Sequence, residues 1–198
     1  MKKLVLSLAL TAATVAAFAQ GKVGFVNDST RVFTLGAVLA QDAEFSGQAV
    51  TAALPSGPLA ALLYAGTTAG SLSLQTSVTL EGTSLPQAGR MATKNVVLNG
   101  IVGGSPVNFQ IVLIQAGVEA PETIVGGADR DAFSGSQYFG TSGLFTFTPG
   151  TSVTYPVIYA GTSTWAAGPL MVHAVPEPSS LALAGFGVAS LLIFRRRK

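Results

Sequence analysis

Asn108-Phe109-Gln110-Ile111-Val112-Leu113-Ile114-Gln115 is a strand signal with no polar face. Side chains alternate across a strand with a period of two. Phe109, Ile111 and Leu113 therefore share one face, and Val112 and Ile114 make the other apolar as well. A strand that borders water on one side alternates apolar with polar residues. One that does not alternate belongs inside a sheet, with cover on both sides.

Strand signals continue on either side of it, at residues 22–27, 31–39, 49–54, 60–64, 72–80, 94–98, 144–148 and 153–159. Glycine, proline and Ser/Thr clusters separate them. Val153, Tyr155, Val157 and Tyr159 alternate, with Thr154 on the opposite face, and Phe145 and Phe147 alternate with Leu144, Thr146 and Thr148. Leucine and alanine in 59–65 favour helix, but the exit Tyr64-Ala65-Gly66-Thr67 argues for a strand and a turn. No stretch carries a capped 3.6-residue pattern, and no period of self-similarity emerges. The expected fold is all-β: an antiparallel β-sandwich, jelly-roll-like or immunoglobulin-like.

Composition supports a folded middle. The 198 residues are 48% hydrophobic and only 10% charged, the reverse of a disordered chain. The net charge of +2 is a property of the ends, where Lys2, Lys3, Arg195, Arg196, Arg197 and Lys198 lie. Between Gln20 and Val175 stand five basic and eight acidic residues. Phosphate backbones need clustered Lys and Arg, so nucleic acid is not an expected partner. The chain has no cysteine, which removes disulfides, thiolate metal sites and cysteine nucleophiles together.

Catalytic signals are sparse. His173 is the only histidine and lies in the expected linker, where no serine triad would hold it rigidly. One histidine and no cysteine do not make a zinc site. Eight carboxylates leave glycoside hydrolysis open by inventory, but no pair stands out. Asp129 and Asp131, in Gly126-Gly127-Ala128-Asp129-Arg130-Asp131, have the spacing of two calcium ligands but lack the rest of a calcium loop. Asn27-Asp28-Ser29 fits the N-x-[ST] sequon. Thr67, Thr68, Ser71 and Ser73 form a hydroxyl-rich stretch suited to a solvated strand edge or to O-glycosylation, and Trp165 suits the edge of a core or a loop contact. No catalytic residue, cofactor or metal ligand is expected, and the chain is not read as an enzyme.

The ends are more specific. Lys2 and Lys3 precede a run of apolar and small residues over 4–18, and Ala17-Phe18-Ala19 gives a small-x-small site before Gln20. This is the architecture of a secretory signal, with Ala17, Ala19 and Gln20 at the signal-peptidase site. At the other end Pro176-Glu177-Pro178 is followed by apolar and small residues over 179–194 and then by Arg195-Arg196-Arg197-Lys198. Sixteen residues of helix rise roughly 24 Å, a little short of a ~30 Å hydrocarbon core. Snorkelling arginines and local thinning absorb the deficit. The basic cluster stays cytoplasmic, so the folded middle lies on the far side.

This tail resembles the PEP-CTERM sorting tail of Gram-negative bacteria, which is also described as an ice-binding protein C-terminal domain. The resemblance covers about residues 175–198. It implies that Pro176, Glu177 and Pro178 are recognition residues for an exosortase, a membrane cysteine protease that removes the anchor. The expected organisation is a signal peptide over 1–19, an exported β-sandwich over 20–172, a linker with the tripeptide over 173–178, and a transmembrane helix with basic tail over 179–198. Expected partners are signal peptidase, the exosortase and the membrane. Expected location is the inner membrane, then the outer envelope or the exterior. The competing readings are a module binding carbohydrate (an envelope polysaccharide), ice or another surface, and, behind it, an exported hydrolase.

Overall fold

The computed structural model describes residues 20–161 and 170–175. The expected signal helix, Trp165 and the expected membrane helix fall outside them. Among the described residues no helix is long and apolar enough to cross a membrane.

The domain is all-β. Its strands are β1 (Gln20–Phe25), β2 (Thr34–Leu35), β3 (Leu59–Thr68), β4 (Ser71–Leu80), β5 (Lys94–Val102), β6 (Val107–Gln115), β7 (Thr123–Val125), β8 (Tyr138–Thr141), β9 (Phe145–Phe147), β10 (Val157–Ile158) and β11 (Met171–Ala174). Short 3-10 turns at Ala40–Phe45, Gly82–Ser84 and Arg130–Phe133 are the helical elements among the described residues. One sheet runs β10-β1-β5, and a larger one runs β2-β11-β8-β6-β3-β4-β7, with β9 also on β6. Pairing is antiparallel except for β1 with β10 and β2 with β11, which are parallel. The antiparallel expectation therefore needs correcting at those two pairs.

The double burial expected of β6 is observed. Val107, Phe109, Ile111 and Leu113 enter a core shared with Val23, Phe25, Val96, Leu98 and Ile158 of the smaller sheet. Val112 and Ile114 enter a second core with Leu62, Tyr64, Leu72, Ile124 and Phe133. Among the described residues no third sheet covers that second face. Residues 116–136 fold over it, anchored by Phe133 and by the hydroxyl of Tyr64, which donates to the Pro121 carbonyl at 2.8 Å. Burial pushes the Tyr64 phenol up to about 12. Gln110, on the same face, donates to Thr141 Oγ1 and accepts from the Ala128 amide, both at 2.8 Å. The Gln110 amide is thus satisfied and, like the Tyr64 hydroxyl, ties the flap to the sheet.

Alternation along β4 changes phase at a bulge. Leu63 faces Thr76 whereas Tyr64 faces Leu74, so Gln75 is extra. A β-bulge of one residue flips every side chain beyond it. Leu72 and Leu74 accordingly pack with the second core, and Val78 and Leu80, also even-numbered, pack with the first. The Gln75 side chain accepts from the Asn99 amide of β5 at 2.7 Å, and Lys94 Nζ donates to the Ser77 carbonyl at 2.9 Å. These side-chain bonds link the sheets where no ladder joins β4 to β5.

Several expected strands shrink. Residues 31–39 keep only β2, and 49–54 keep only a single bridge from Ala49 to Thr34. Residues 153–159 keep β10. Pro156 has no amide to give a ladder, and Tyr159 takes φ 66°. Their expected common face is not formed: Val153 is 85% exposed and Tyr159 is fully buried. β7, β8 and β11 are strands the sequence reading missed. Each has only three or four residues, too few for alternation to register.

Leu113→Ala, in the shared core, is expected to cost ~2–5 kcal/mol, whereas Val97→Ala, on the open face of the smaller sheet, should stay within ~0.5 kcal/mol. Urea melts of the two variants beside the parent domain check the contrast.

Candidate sorting junction

The tail leaves the domain from β11, and β11 is held on both edges. Thr34 and Leu35 of β2 pair with Met171 and Val172, and Tyr138 and Phe139 of β8 pair with Ala174 and His173. Val172 is fully buried. The Ala174 amide donates to the Ala37 carbonyl at 2.6 Å, and the Val175 amide donates to the Gln137 carbonyl at 2.8 Å. The last backbone bond of the described domain therefore lies one residue before Pro176. Proline has no amide, so at Pro176 this donor series ends whatever lies beside it.

His173 and Ala174, expected in the linker, are strand residues. The missed signal was Met171-Val172, an apolar pair too short to be distinguished from a loop. His173 Nδ1 accepts from the Ala37 amide at 3.3 Å. Its ring also fixes the residue opposite: a Cβ on Gly36 would lie 2.4 Å from His173 Cε1. Beside it, Arg130, Phe139, His173, Ala174 and Val175 line a shallow groove of about 220 Å³.

A buried carboxylate supports this end of the domain. Asp42, in the turn Ala40–Phe45, is fully buried. It accepts from the Tyr138 hydroxyl at 2.6 Å and from the Ser56 amide at 3.1 Å, while the Leu39 amide donates to Tyr138 Oη at 3.2 Å. Burial, with the Asp42 bond second, raises the Tyr138 pKa. The loop against which β11 closes is thus bonded to the strand on the other side of β11. A buried charge is costly without such partners, so removing the Tyr138 hydroxyl exposes that cost.

The front junction is equally tight. Gln20, the expected first residue after signal removal, already pairs with Val102 in the β1–β5 ladder. A Cβ on Gly21 would lie 3.0 Å from Pro149 Cβ. Ala17, Ala19, Pro176, Glu177, Pro178, Arg195, Arg196, Arg197 and Lys198 fall outside the described residues, as do both expected terminal helices.

The remaining candidates resolve locally. Asn27 of the sequon is 1% exposed; its Nδ2 donates to the carbonyls of Arg31 and Gly89, and its Oδ1 accepts from the Met91 amide. That amide is fully committed to the fold and is closed to a glycan in the folded domain. Asp129 caps the turn Arg130–Phe133, accepting from the Asp131 amide, which accounts for the Asp-Arg-Asp spacing. Among the described residues no group of three or more His, Asp or Glu side chains converges as a metal site would require. Thr67, Thr68, Ser71 and Ser73 meet Asn99 and Gly100 in an open groove of about 280 Å³ at the β3–β4 hairpin. Gly66 makes that hairpin possible, since a Cβ there would lie 2.2 Å from the Ser71 carbonyl oxygen.

Comparison with known proteins bears on the tail. Residues 174–198 match the PEP-CTERM protein-sorting motif. No curated protein and no solved structure matches the chain. The match begins at Ala174, so the sorting motif and the last strand of the domain meet with no spacer.

Asp28 gives this fold an acid-sensitive clasp. Its carboxylate accepts from the Thr30 hydroxyl at 2.6 Å and the Gly161 amide at 2.5 Å. The Thr30 hydroxyl bond, then the Gly161 bond, hold it down to about 2 from 3.8. A depressed carboxyl stabilises the fold above its unfolded value and loses that contribution as pH falls towards the folded one. Wild type should therefore lose melting temperature between about pH 4 and pH 2 more steeply than Asp28→Asn, measured by thermal scans across that range.

Proposed function

Starting from the PEP-CTERM sorting motif at residues 174–198, we propose that this chain is an exported protein of the cell envelope or extracellular matrix. Its tail is processed by an exosortase-type membrane protease, and its domain has no catalytic role. The observation that carries the reading is the junction itself. A folded domain ends at a Val175 amide bonded to Gln137, and the sorting tripeptide starts at the next residue. Folded cargo followed directly by a recognition peptide, an apolar run and four basic residues is the order a membrane sorting protease needs, with the basic end inside and the cargo outside. Signal peptidase acts at Ala19–Gln20 in the same reading.

Two sheets that share one core support a β-sandwich as the architecture of the cargo. Glu81 is the one carboxylate in the groove with Thr79, Thr83 and Ser84, and the grooves at the hairpin and at the junction have none. None of these three brings together the two carboxylates of a glycosidase. Binding to an envelope polysaccharide is the second reading. It is favoured by the cluster of Thr67, Thr68, Ser71, Ser73 and Asn99 around the hairpin groove.

Intact-mass analysis of envelope and medium fractions, with and without the exosortase, tests the assignment. The expected product starts near Gln20 and lacks Arg195–Lys198 only when the protease is present. A chain that keeps its basic end in both strains overturns it, as does a reporter fused after Val175 that proves cytosolic.

A further inference from the structure

Asn99-Gly100 stands in a bulge of β5. The β1–β5 ladder pairs Lys22 with Val97 and then Gln20 with Val102, so residues 98–101 of β5 stand against Gly21 alone. Leu98 and Ile101 send their side chains into the shared core. Asn99 and Gly100, between them, are exposed. Gly100 takes φ 69°, and nothing lies within 4 Å of where its Cβ would be. The Asn99 backbone is held, since its amide donates to Gln75 Oε1 at 2.7 Å. Among the described residues its carboxamide bonds to no other group.

The other asparagines are placed differently. Asn27 is buried and bonded through both side-chain atoms. Asn95 is exposed, but Val96 after it is β-branched and packs in the core. Asn108 Nδ2 donates to the Thr67 carbonyl at 3.5 Å, its Oδ1 accepts from the Thr146 hydroxyl at 3.4 Å, and Phe109 after it is fully buried. A branched or packed neighbour crowds its own amide nitrogen, whereas glycine has no Cβ to do so. Asn99 is the one asparagine of the chain that precedes a glycine.

We propose that Asn99-Gly100 is a self-modification site, at which the Gly100 amide nitrogen turns Asn99 into a carboxylate in the wall of the hairpin groove. Hydroxide takes the proton of that nitrogen, which then attacks Asn99 Cγ. The N–Cγ bond forms, the Cγ–Nδ2 bond breaks, and Nδ2 leaves as ammonia with a proton from water, which regenerates the hydroxide. Water then opens the cyclic imide. Opening at Cγ gives aspartate. Opening at the main-chain carbonyl of residue 99 gives isoaspartate, whose backbone runs through Cβ and Cγ. The conversion consumes only water, and asparagine is a thermolabile residue. Thr67, Thr68, Ser71 and Ser73 line the groove with Asn99, and no lining residue is charged. The product therefore puts a negative charge where there was none. Its isoaspartate form also lengthens the path between Leu98 and Ile101, which the core holds in place.

The full chain, folded in detergent, is incubated at mildly alkaline and mildly acidic pH in water enriched in oxygen-18. It is then digested in ordinary water, and sites are assigned by fragmentation in a mass spectrometer. Asn99 is expected to convert several-fold faster than Asn95 and Asn108, faster at alkaline pH, and with one oxygen-18 gained. A protein isoaspartate methyltransferase is expected to label part of the product, and Asn99→Gln, which would need a larger ring, is expected to lose that label. Conversion at Asn99 no faster than at Asn95 or Asn108 overturns the proposal. So does conversion that begins only after urea has unfolded the chain, because the bulge then protects the pair. Product without oxygen-18, or a label that survives in Asn99→Gln, overturns the imide route at this position.

Discussion

A strand with apolar side chains on both faces has to be covered twice, and β6 sets that demand for the whole domain. Its odd-numbered face draws the smaller sheet over it through Val23, Phe25, Val96 and Leu98. Its even-numbered face draws down residues 116–136, with Phe133 and Ile124 as the apolar contacts and Gln110 as the polar fastening. Burial of each such side chain contributes roughly 1.5–3 kcal/mol, more than the clasps and turns around it provide singly. β8 and β9 share the remaining edge of β6, and the corner between them is closed by Ser142, whose hydroxyl accepts from the Ile111 amide while its own amide donates to the Ile111 carbonyl. β11 joins this edge through β8, so the junction with the sorting motif is one strand removed from the most buried part of the molecule.

Polar side chains complete what the ladders leave open. Gln75 and Lys94 bond backbone groups across the gap between β4 and β5, where each sheet would otherwise present an edge. Unpaired edges are the usual route to unwanted strand addition. Asn27 does the same at the other side, closing the 27–31 turn on the Arg31 carbonyl and joining it to the Gly89–Met91 segment through two further bonds. Asp42 and Tyr138 form the third such fastening, beneath the loop that receives β11.

Long strands were legible in the sequence because burial left a period in it. β3, β4, β5 and β6 run nine or ten residues, and their apolar content and turn punctuation identified them. What escaped has a physical reason in each case. The bulge at Gln75 and the positive φ of Gly100 (69°) each shift a strand's phase midway, so alternation cannot be read through them. β11 is short and takes its stability from neighbours far away in sequence, which made His173 look like linker. Pro156 and Tyr159 interrupt a stretch whose letters alternate. The tail was legible for the opposite reason: its tripeptide, apolar run and basic end act through composition and order along the chain rather than through contacts with it.

β1 is the middle strand of its sheet, and its partners are residues 94–102 on one side and 157–158 on the other. A polypeptide delivered across a membrane amino end first presents β1 early and both of its neighbours late. Val23 and Phe25 must wait, solvated, until most of the polypeptide has followed. Long sequence separation of this kind slows closure and rewards any factor that keeps a greasy segment occupied in the interval. In this fold the smaller sheet cannot close before residues 157–158 arrive, and the larger sheet still waits for β11 at 171–174.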